Sequence, residues 1–458
     1  MSVAVRSTMD ERLSLRPGVF LATSQERLIL FRRQPWQRSE SFGAPTDAKR
    51  AVLAKLAGEP CSMAELGAAA DAELGALIGK LHAGGWLVTT VRHAGRALYT
   101  LQPVDGRADP PRYPLRDLTL CRFAVLRREG RDMVVESPLA RARMLLHDPA
   151  VTTTVAELAN DGHGTLPPPV RQAMLHDLAR AGLAVPRSHD DAPDLRLWNP
   201  PDLWLHSRSR RGNGGYAGAG FGRTGWAAPF VEPPAADREH WAGTVVGLHR
   251  PDLATLGQSD RPLAAVLEER RSIRTYDDDN PITADQLAEL LYRCAAQRSR
   301  TTDGGQARIG RPYPSGGGLY ELELYPVVRH VGGLESGMYH YDPHAHQLCL
   351  VRAHGPETER MMRDAMWSAL APAPPQVLIV VSARFGRLTS TYEQLAYSLI
   401  LKHVGVLYQT LYLVATAMGL APCALGAGDG TAFTDATGLE YTAESSVGEF
   451  MLGSRPAQ

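Results

Sequence analysis

Cysteine is scarce in this 458-residue chain: the five, at 61, 121, 294, 349 and 423, never form a Cys-x-x-Cys pair. An odd, scattered set gives no support to a disulfide framework or a zinc cluster. No metal site is expected, and a reducing cytoplasm is the expected compartment. A surplus of charge of one sign is also missing. Lys plus Arg and Asp plus Glu come to 49 each, which argues against general nucleic-acid binding, where phosphate contacts call for a basic excess or stripe. The N-terminus, Met1 to Gly18, mixes Arg6, Asp10, Glu11, Arg12 and Arg16 and has no apolar signal-peptide core. Also absent are a Gly-x-Ser-x-Gly elbow, a His-Glu-x-x-His helix and a Walker loop, so serine-hydrolase, zincin and P-loop chemistry find no motif. One charge-free stretch, Val404 to Gly428, is long enough to cross a bilayer. Gln409, Thr410, Thr416, Pro422 and several glycines divide it into a helix and a Gly-rich turn, so a buried core helix of a soluble protein is expected.

What is present suits globular folding: 44% hydrophobic and 21% charged residues, over a length that fits about three domains of ~150 residues. The first 110 residues read as small strands (Val19–Ala22, Arg27–Phe31) followed by helices. Ser62 and Glu65 have capping-box spacing, which predicts a helix from Met63. Leu74, Leu77, Ile78 and Leu81 recur at helical spacing before Gly84-Gly85, and two strand runs follow. Helix, turn, helix and β-wing is the outline of a winged helix. Residues 115–200 repeat the order: a hairpin at Glu129-Gly130-Arg131, an N-cap and N1 proline at Ser137-Pro138, and a helix through Val170, Met174, Leu175 and Leu178. Leu81-His-Ala-Gly-Gly-Trp-Leu-Val and Leu178-Ala-Arg-Ala-Gly-Leu-Ala-Val read as two copies of one unit. The would-be recognition helix, Ala72 to His82, has Lys80 as its one lysine or arginine, with Glu73 on the same helix. It is poorly equipped for DNA, whose affinity rests on phosphate contacts, and suits packing or peptide binding better.

Residues 201–260 are rich in Gly, Arg and Pro and read as a linker. Their Gly220-x-Gly222-x-x-Gly225 matches a dinucleotide fingerprint by letter, without the strand before and helix after that the fingerprint requires. From 261 to 458 the pattern is α+β. Thr283 and Gln286 cap a helix with Leu287, Leu290, Leu291 and Cys294 on one face. Strands are expected at Glu323–His330, Gly337–Tyr341, Gln347–Arg352 and Gln376–Ser382, and a long helix from about Tyr392 to Met418. His344 and His346 sit in a short loop and read as solvated rather than metal ligands. Asp277-Asp-Asp-Asn280 reads as a polar loop before the capped helix.

Three clusters in this last region can carry chemistry. Arg270-Arg-Ser272-x-Arg274 puts guanidinium forks and a hydroxyl in one short run, a pattern that matches phosphate oxygens as well as a solvated face. Pro314-Ser315-Gly316-Gly317-Gly318-Leu-Tyr320 lets backbone approach a planar ligand closely, with the Ser315 hydroxyl beside it. Gly419-Leu-Ala-Pro-Cys-Ala-Leu-Gly426-Ala427-Gly428-Asp429 enters a turn whose amides can bond a heteroaromatic nitrogen.

In order, Arg270-Arg-Ser-x-Arg-x-Tyr276, Pro314-Ser-Gly-Gly-Gly-Leu-Tyr320, Gly337-x-Tyr-His-Tyr-Asp342, Gly405-x-x-x-Gln409 and Gly419-Leu-x-x-x-x-Leu-Gly426 resemble the FMN-dependent nitroreductase superfamily. The chain is most similar to the SagB-type, or azoline, dehydrogenases of thiazole/oxazole-modified peptide pathways. Arg122-Phe-Ala-Val-Leu-Arg-Arg, Glu136-Ser-Pro-Leu-Ala and Leu203-Trp-Leu-His-Ser-Arg-Ser-Arg extend the resemblance upstream.

The resemblance implies an α+β fold in which a C-terminal nitroreductase-like FMN domain follows two small winged-helix-like domains. It implies FMN between two subunits of a homodimer. Arg270, Ser272, Arg274 and Arg455 would hold the phosphate and ring edge. Ser315 and Gly317 would lie along the ring system, and Gly426 and Ala427 would present amides to it. The implied reaction turns thiazoline or oxazoline rings of a ribosomally made, cyclodehydrated peptide into thiazoles or oxazoles. It removes a hydride and a proton, so a base is needed. The family's Lys-Tyr pair corresponds to Thr391-Tyr392 here. Tyr392 is therefore the catalytic residue expected. A tyrosine with a reference pKa near ~10 needs a cationic neighbour to act as a base, and Lys402 falls about 280° round a helix from it. An arginine beside Tyr392 or a substrate-assisted route are the alternatives. Two other functions stay open: an NAD(P)H-dependent nitroreductase or flavin reductase for small molecules, and a peptide-binding scaffold with a vestigial flavin site. The modified precursor peptide and a cyclodehydratase are the partners expected, with no nucleic acid and no membrane.

Overall fold

The computed structural model describes residues 9–24, 26–32, 38–104, 117–160, 165–210, 232–303, 306–392 and 395–456. The fingerprint-like Gly220–Gly225 run lies outside them. The chain divides into two compact units, 1–220 and 221–458.

In the first unit the strands are β1 (Met9–Leu15), β2 (Val19–Thr23), β3 (Leu28–Arg32), β4 (Arg38–Ser41), β5 (Leu87–His93), β6 (Arg96–Pro103), β7 (Leu118–Leu120), β8 (Val125–Glu129), β9 (Asp132–Glu136), β10 (Ala142–Leu146) and β11 (Ala184–Pro186). Its helices include α1 (Asp47–Ala57), α2 (Ala72–Ala83), α3 (Pro149–Glu157) and α4 (Pro168–Ala181), and a further helix, Pro200–Arg210, begins the stretch expected as linker. The predicted apolar face of α2 is buried as Leu74, Leu77, Ile78 and Leu81, in one core with Leu28, Leu53 and Trp86. Its lysine is already engaged: Lys80 donates to the Ser41 carbonyl at 2.8 Å and lies over the Phe42 ring. The stretches expected as separate modules share a single six-stranded sheet, ordered β1-β5-β6-β10-β9-β8, through the pairing of β6 with β10.

Two local expectations change. The Ser62–Glu65 box forms in both directions, yet residues 63–70 make consecutive turns rather than an α-helix. Ser137-Pro138 begins a turn, with the Ser137 hydroxyl accepting from Leu139 N–H, and strand β10 follows. The cap-and-proline pair that starts a helix is Asp148-Pro149, where Asp148 accepts from Ala150 N–H at 2.8 Å.

The second unit is built on a seven-stranded antiparallel sheet, ordered β12-β17-β16-β15-β18-β20-β19. Its strands are β12 (Val245–Gly247), β15 (Leu322–Val328), β16 (Gly337–Asp342), β17 (Gln347–Ala353), β18 (Val377–Arg384), β19 (Leu420–Ala424) and β20 (Glu444–Ser454), and a separate hairpin is formed by β13 (Ser299–Asp303) and β14 (Gln306–Gly310). β12 comes from the stretch expected as linker. The helices that matter are α5 (Leu263–Glu269), α6 (Ala284–Ala295), α7 (Pro356–Ala369), α8 (Phe385–Thr389), α9 (Ala396–Ala417) and α10 (Gly430–Thr437). Side chains alternate across β18. Ile379 and Val381 join the core with Leu291 of α6 and Leu407 of α9, while Leu378 and Val380 join Met361 of α7 and Phe433 of α10 on the other face. Both faces being covered explains why β18 reads as an unbroken apolar run. The Thr283–Gln286 capping box forms as predicted.

The uncharged stretch becomes the end of α9, strand β19 and a turn. α9 is long and apolar enough to cross a bilayer by length and composition, and it packs against β19 and β20. The loop at His344–His346 corrects another expectation. His346 is buried, bonded at 2.9 Å to both the Tyr341 hydroxyl and the His249 carbonyl. Burial holds its pKa down.

Candidate functional site

The predicted site residues gather at two stations along α9. The first is at Tyr412. After α5 the chain runs extended, and Ile273 N–H bonds the Pro422 carbonyl of β19 at 2.9 Å. This lays Ser272 against Tyr412, hydroxyl to hydroxyl at 2.6 Å, with the Arg270 guanidinium over the Tyr412 ring, 5.1 Å from its centroid. The same hydroxyl accepts from Ala424 N–H at 2.8 Å, so Tyr412 joins the arginine run to the strand that leads into the Gly426–Gly428 turn.

That turn is exposed and open, with nothing within 4 Å of where a Gly426 Cβ would stand. The Gly426 and Ala427 amides have no hydrogen-bond partner among the described residues. Behind the turn, a Cβ on Gly428 would lie 1.9 Å from the Glu449 carboxylate, so any side chain there would have to displace it. Burial pushes the Glu449 carboxyl up, against a hydrogen bond from Ser446.

Gln376 fixes the far end of the station. Its side chain accepts from Ile282 and Ser454 N–H at 3.0 and 2.9 Å and donates to the Asp277 carbonyl at 2.8 Å. Tyr276 packs so close to Gly453 that a Cβ there would lie 2.4 Å from its ring. These contacts set Arg455 just beyond β20. Its Nε is buried with no hydrogen-bond partner, and its charge acts on Glu269. The Glu269 carboxyl is held low by its hydrogen bond to Arg261, then by the charges of Arg455 and Arg271. Arg274 is exposed, and its charge acts on Tyr276, whose hydroxyl is pushed up mainly by burial. Among the described residues none of Arg270, Arg271, Arg274 and Arg455 forms an ion pair with a carboxylate. An orphaned guanidinium nitrogen, uncompensated arginines and a hydroxyl fit a phosphate group.

The second station is at His403, nine residues earlier on α9 and so about 13 Å back along its axis. Gly316–Gly318 form a single 3-10 turn in which Gly317 and Gly318 have φ of 63° and 66°, a region open to glycine at little cost. Tyr392, buried just before α9, places its hydroxyl 3.3 and 3.2 Å from where Cβ atoms on Gly316 and Gly317 would stand. Because Tyr392 precedes α9, the helical-rotation argument about Lys402 does not apply, and Lys402 is exposed.

The groups that hold this turn carry no motif. Gly316 N–H donates to His403 Nε2 at 2.9 Å. A nitrogen that accepts has no proton, so the neutral ring carries its proton on Nδ1 and donates it to Glu321 at 2.7 Å. The fully buried Glu321 carboxylate also accepts from Ser315 Oγ at 3.2 Å, while Ser315 Oγ accepts from Tyr320 N–H. Arg308, on β14, donates to the Gly317 carbonyl at 2.6 Å.

The structure thus brings Arg270, Ser272, Arg455 and the Gly426–Ala427 turn to one end of β19 and α9, with Arg274 at its edge. Ser315, Gly317 and Tyr392 meet at the other station. Tyr412, Gln376, His403, Glu321 and Arg308 were missed by sequence reasoning, since each lies outside a recognisable run. A polar cavity of about 180 Å³, lined by Arg311, Glu323, His340 and Asp342 among others, contains none of the predicted residues. Within it burial opposes ionisation of Glu323, but hydrogen bonding to His340 and nearby arginines hold its pKa down to about 2.

Fold and site define a class. The nitroreductase family model matches residues 267–454, and the chain belongs to that family of oxidoreductases. A cyanobactin oxidase model matches residues 118–214. A protein of Methanocaldococcus jannaschii named as a nitroreductase is 30% identical over 187 residues, 40% of this chain and 86% of the relative. Indigoidine synthase of Streptomyces lavendulae is 33% identical over 155 residues, 28% of this chain and 12% of that protein. Among solved structures, a nitroreductase of Ralstonia eutropha aligns with a TM-score of 0.36 at 23% identity, covering 50% of this chain and 96% of that one. The E. coli microcin synthetase McbBCD complex with truncated pro-MccB17 bound aligns with a TM-score of 0.36 at 19% identity, covering 52% and 89%.

Proposed function

We propose that this chain is an FMN-dependent dehydrogenase that oxidises thiazoline or oxazoline rings of a ribosomally made, cyclodehydrated peptide to thiazoles or oxazoles. The observation that carries the reading is the Tyr392 hydroxyl set against the Gly316–Gly317 turn, an acid–base group beside backbone that carries no side chains. The cyanobactin oxidase match supports the peptide class.

Arg270, Ser272, Arg274 and Arg455 would hold the FMN phosphate. Gly426 and Ala427 would offer amides to the ring system, with Ser315 and Gly317 along it. When bound, FMN supplies the acceptor for the hydride that leaves the azoline CH₂. Tyr392 takes the proton from the adjacent ring carbon, the C–H pair becoming the new ring double bond. His403 and Glu321 keep the turn in place during that transfer.

The two stations share α9, whose Tyr397, Leu401 and Val406 are exposed. A second copy docked on this apolar face would make the homodimer and cover both stations. The segments 1–110 and 115–200, as winged-helix-like modules, would hold the precursor peptide or a cyclodehydratase, and the cytoplasm is the proposed location.

The test is to incubate FMN-loaded protein with an azoline-bearing peptide and follow loss of two hydrogens per ring by mass spectrometry. The likeness to the M. jannaschii protein favours one second reading, reduction of small electrophiles with NAD(P)H. Rapid NAD(P)H oxidation with a nitroaromatic, and no hydrogen loss from the peptide, would replace the first reading with the second.

A further inference from the structure

Tyr392 has a fixed positive charge across the glycine turn. The point a Gly317 Cβ would occupy lies 3.2 Å from the Tyr392 hydroxyl and 3.5 Å from Arg308 Nη1. The guanidinium is held there by its bond to the Gly317 carbonyl and by the β13–β14 hairpin, in which Arg308 pairs with Thr301. A side chain at 317 would press against both groups; glycine leaves that point open.

Among the described residues, the other charged groups facing this turn point elsewhere. From α9, His403 presents Nε2 to Gly316 N–H, so its lone pair is occupied. From the segment before β15, Glu321 is bonded to His403 and Ser315. From α8, Arg387 donates to the Leu319 carbonyl at 2.6 and 3.1 Å. Among the described residues, Arg308 is the cation that comes within 3.5 Å of the point beside the Tyr392 hydroxyl.

We propose that Arg308 is the charge partner of Tyr392, a positioning residue that stabilises the phenolate and so takes the part of the lysine missing at Thr391. The inference rests on Tyr392 being the base of the reaction above. In that step the ring-carbon C–H bond breaks and an O–H bond forms at Tyr392. The C–H electron pair becomes the ring double bond as hydride leaves the neighbouring carbon for the flavin-class acceptor. A nearby cation favours an ionised partner, and a preorganised charge beside a reacting oxygen commonly contributes about 10²-fold or more to rate.

The experiment uses full-length, FMN-loaded protein carrying carbon-labelled tyrosine, with the Tyr392 NMR signal assigned by its loss in Tyr392→Phe. In Arg308→Gln the Tyr392 titration midpoint should rise by about one pH unit. kcat for azoline oxidation should fall on the order of 100-fold, with FMN content and peptide KM unchanged. Arg308→Lys should restore most of both. An unchanged Tyr392 midpoint in Arg308→Gln overturns the proposal. Should that variant fail to fold, Gly317→Ala asks the same question by placing a methyl carbon against both groups, and an unchanged midpoint there also overturns it. A midpoint that depends on Arg308 in a protein that oxidises no azoline would leave the charge partnership standing and reject the substrate reading instead.

Discussion

The two stations on α9 are built from opposite materials. At Tyr412 the chain concentrates arginines that form no ion pair with a carboxylate among the described residues, beside an exposed turn of amides. At His403 it buries a carboxylate, satisfies it with an imidazole and a serine hydroxyl, and sets one tyrosine over glycines. The first suits holding an anion that arrives from solvent. The second suits moving a proton, because Glu321, His403 and Ser315 are bonded to one another and to the turn, which holds it in place. Uncompensated charge is tolerable where it is wet or awaits a partner, whereas a buried charge must be paired. Binding and proton transfer are thereby separated along one helix, and variants at the two stations should fail in different ways.

The largest effect should come from Tyr392→Phe. Loss of a general base lowers turnover by about 10²–10⁴-fold, while FMN content stays at the wild-type level. A parallel loss of flavin would show that the stations are not separate.

Next in size is His403→Leu, which leaves Glu321 buried without its imidazole. Breaking a buried pair costs about 3–5 kcal/mol, measured by chemical denaturation, whereas Glu321→Gln retains an acceptor for Nδ1–H and should cost less than half as much.

At the other station Arg270→Ala or Arg455→Ala removes a charged hydrogen-bond donor worth about 1.5–3 kcal/mol. FMN affinity from flavin fluorescence titration should fall about 10–100-fold, with the fold's stability little changed. Tyr412→Phe should destabilise by about 1 kcal/mol, by orphaning Ala424 N–H and Ser272, and should weaken FMN a few-fold. The smallest effect is Lys402→Ala: the side chain is exposed, so kcat and FMN affinity should stay within about twofold.

The difference between the stations also governs what could be read from the sequence. Arg270, Ser272 and Arg274 fall within one short run and Gly426 within a Gly-rich one, so that station was visible as motifs, although the strand β19 that leads into the turn was not expected. Arg455 was visible only as a basic residue near the C-terminus. Tyr412 and Gln376 tie the station together through contacts of 140 and 78 residues' separation or more, which no local pattern encodes. At the second station the Pro-Ser-Gly run and Tyr392 were legible. His403 was not, because a histidine amid the apolar residues of α9 looks like any core residue until its two nitrogens are traced to Gly316 and Glu321.

The fold shows the same divide. β18 and the α6 cap follow from periodicity and capping chemistry, but the joining of β6 to β10 into one sheet pairs strands about 40 residues apart. The start of α3 lies eleven residues beyond the place a Ser-Pro pair suggested, because Asp148-Pro149 offers the same cap and proline directly before an apolar helical run.

The most direct test of the division between the stations is the visible absorption spectrum of three purified proteins, with the released flavin identified: wild type, Tyr392→Phe, and Arg270→Ala with Arg455→Ala combined. Stoichiometric FMN in the first two and a colourless third is the expected result. A colourless Tyr392→Phe, or a doubly substituted protein that keeps its FMN, would contradict the account.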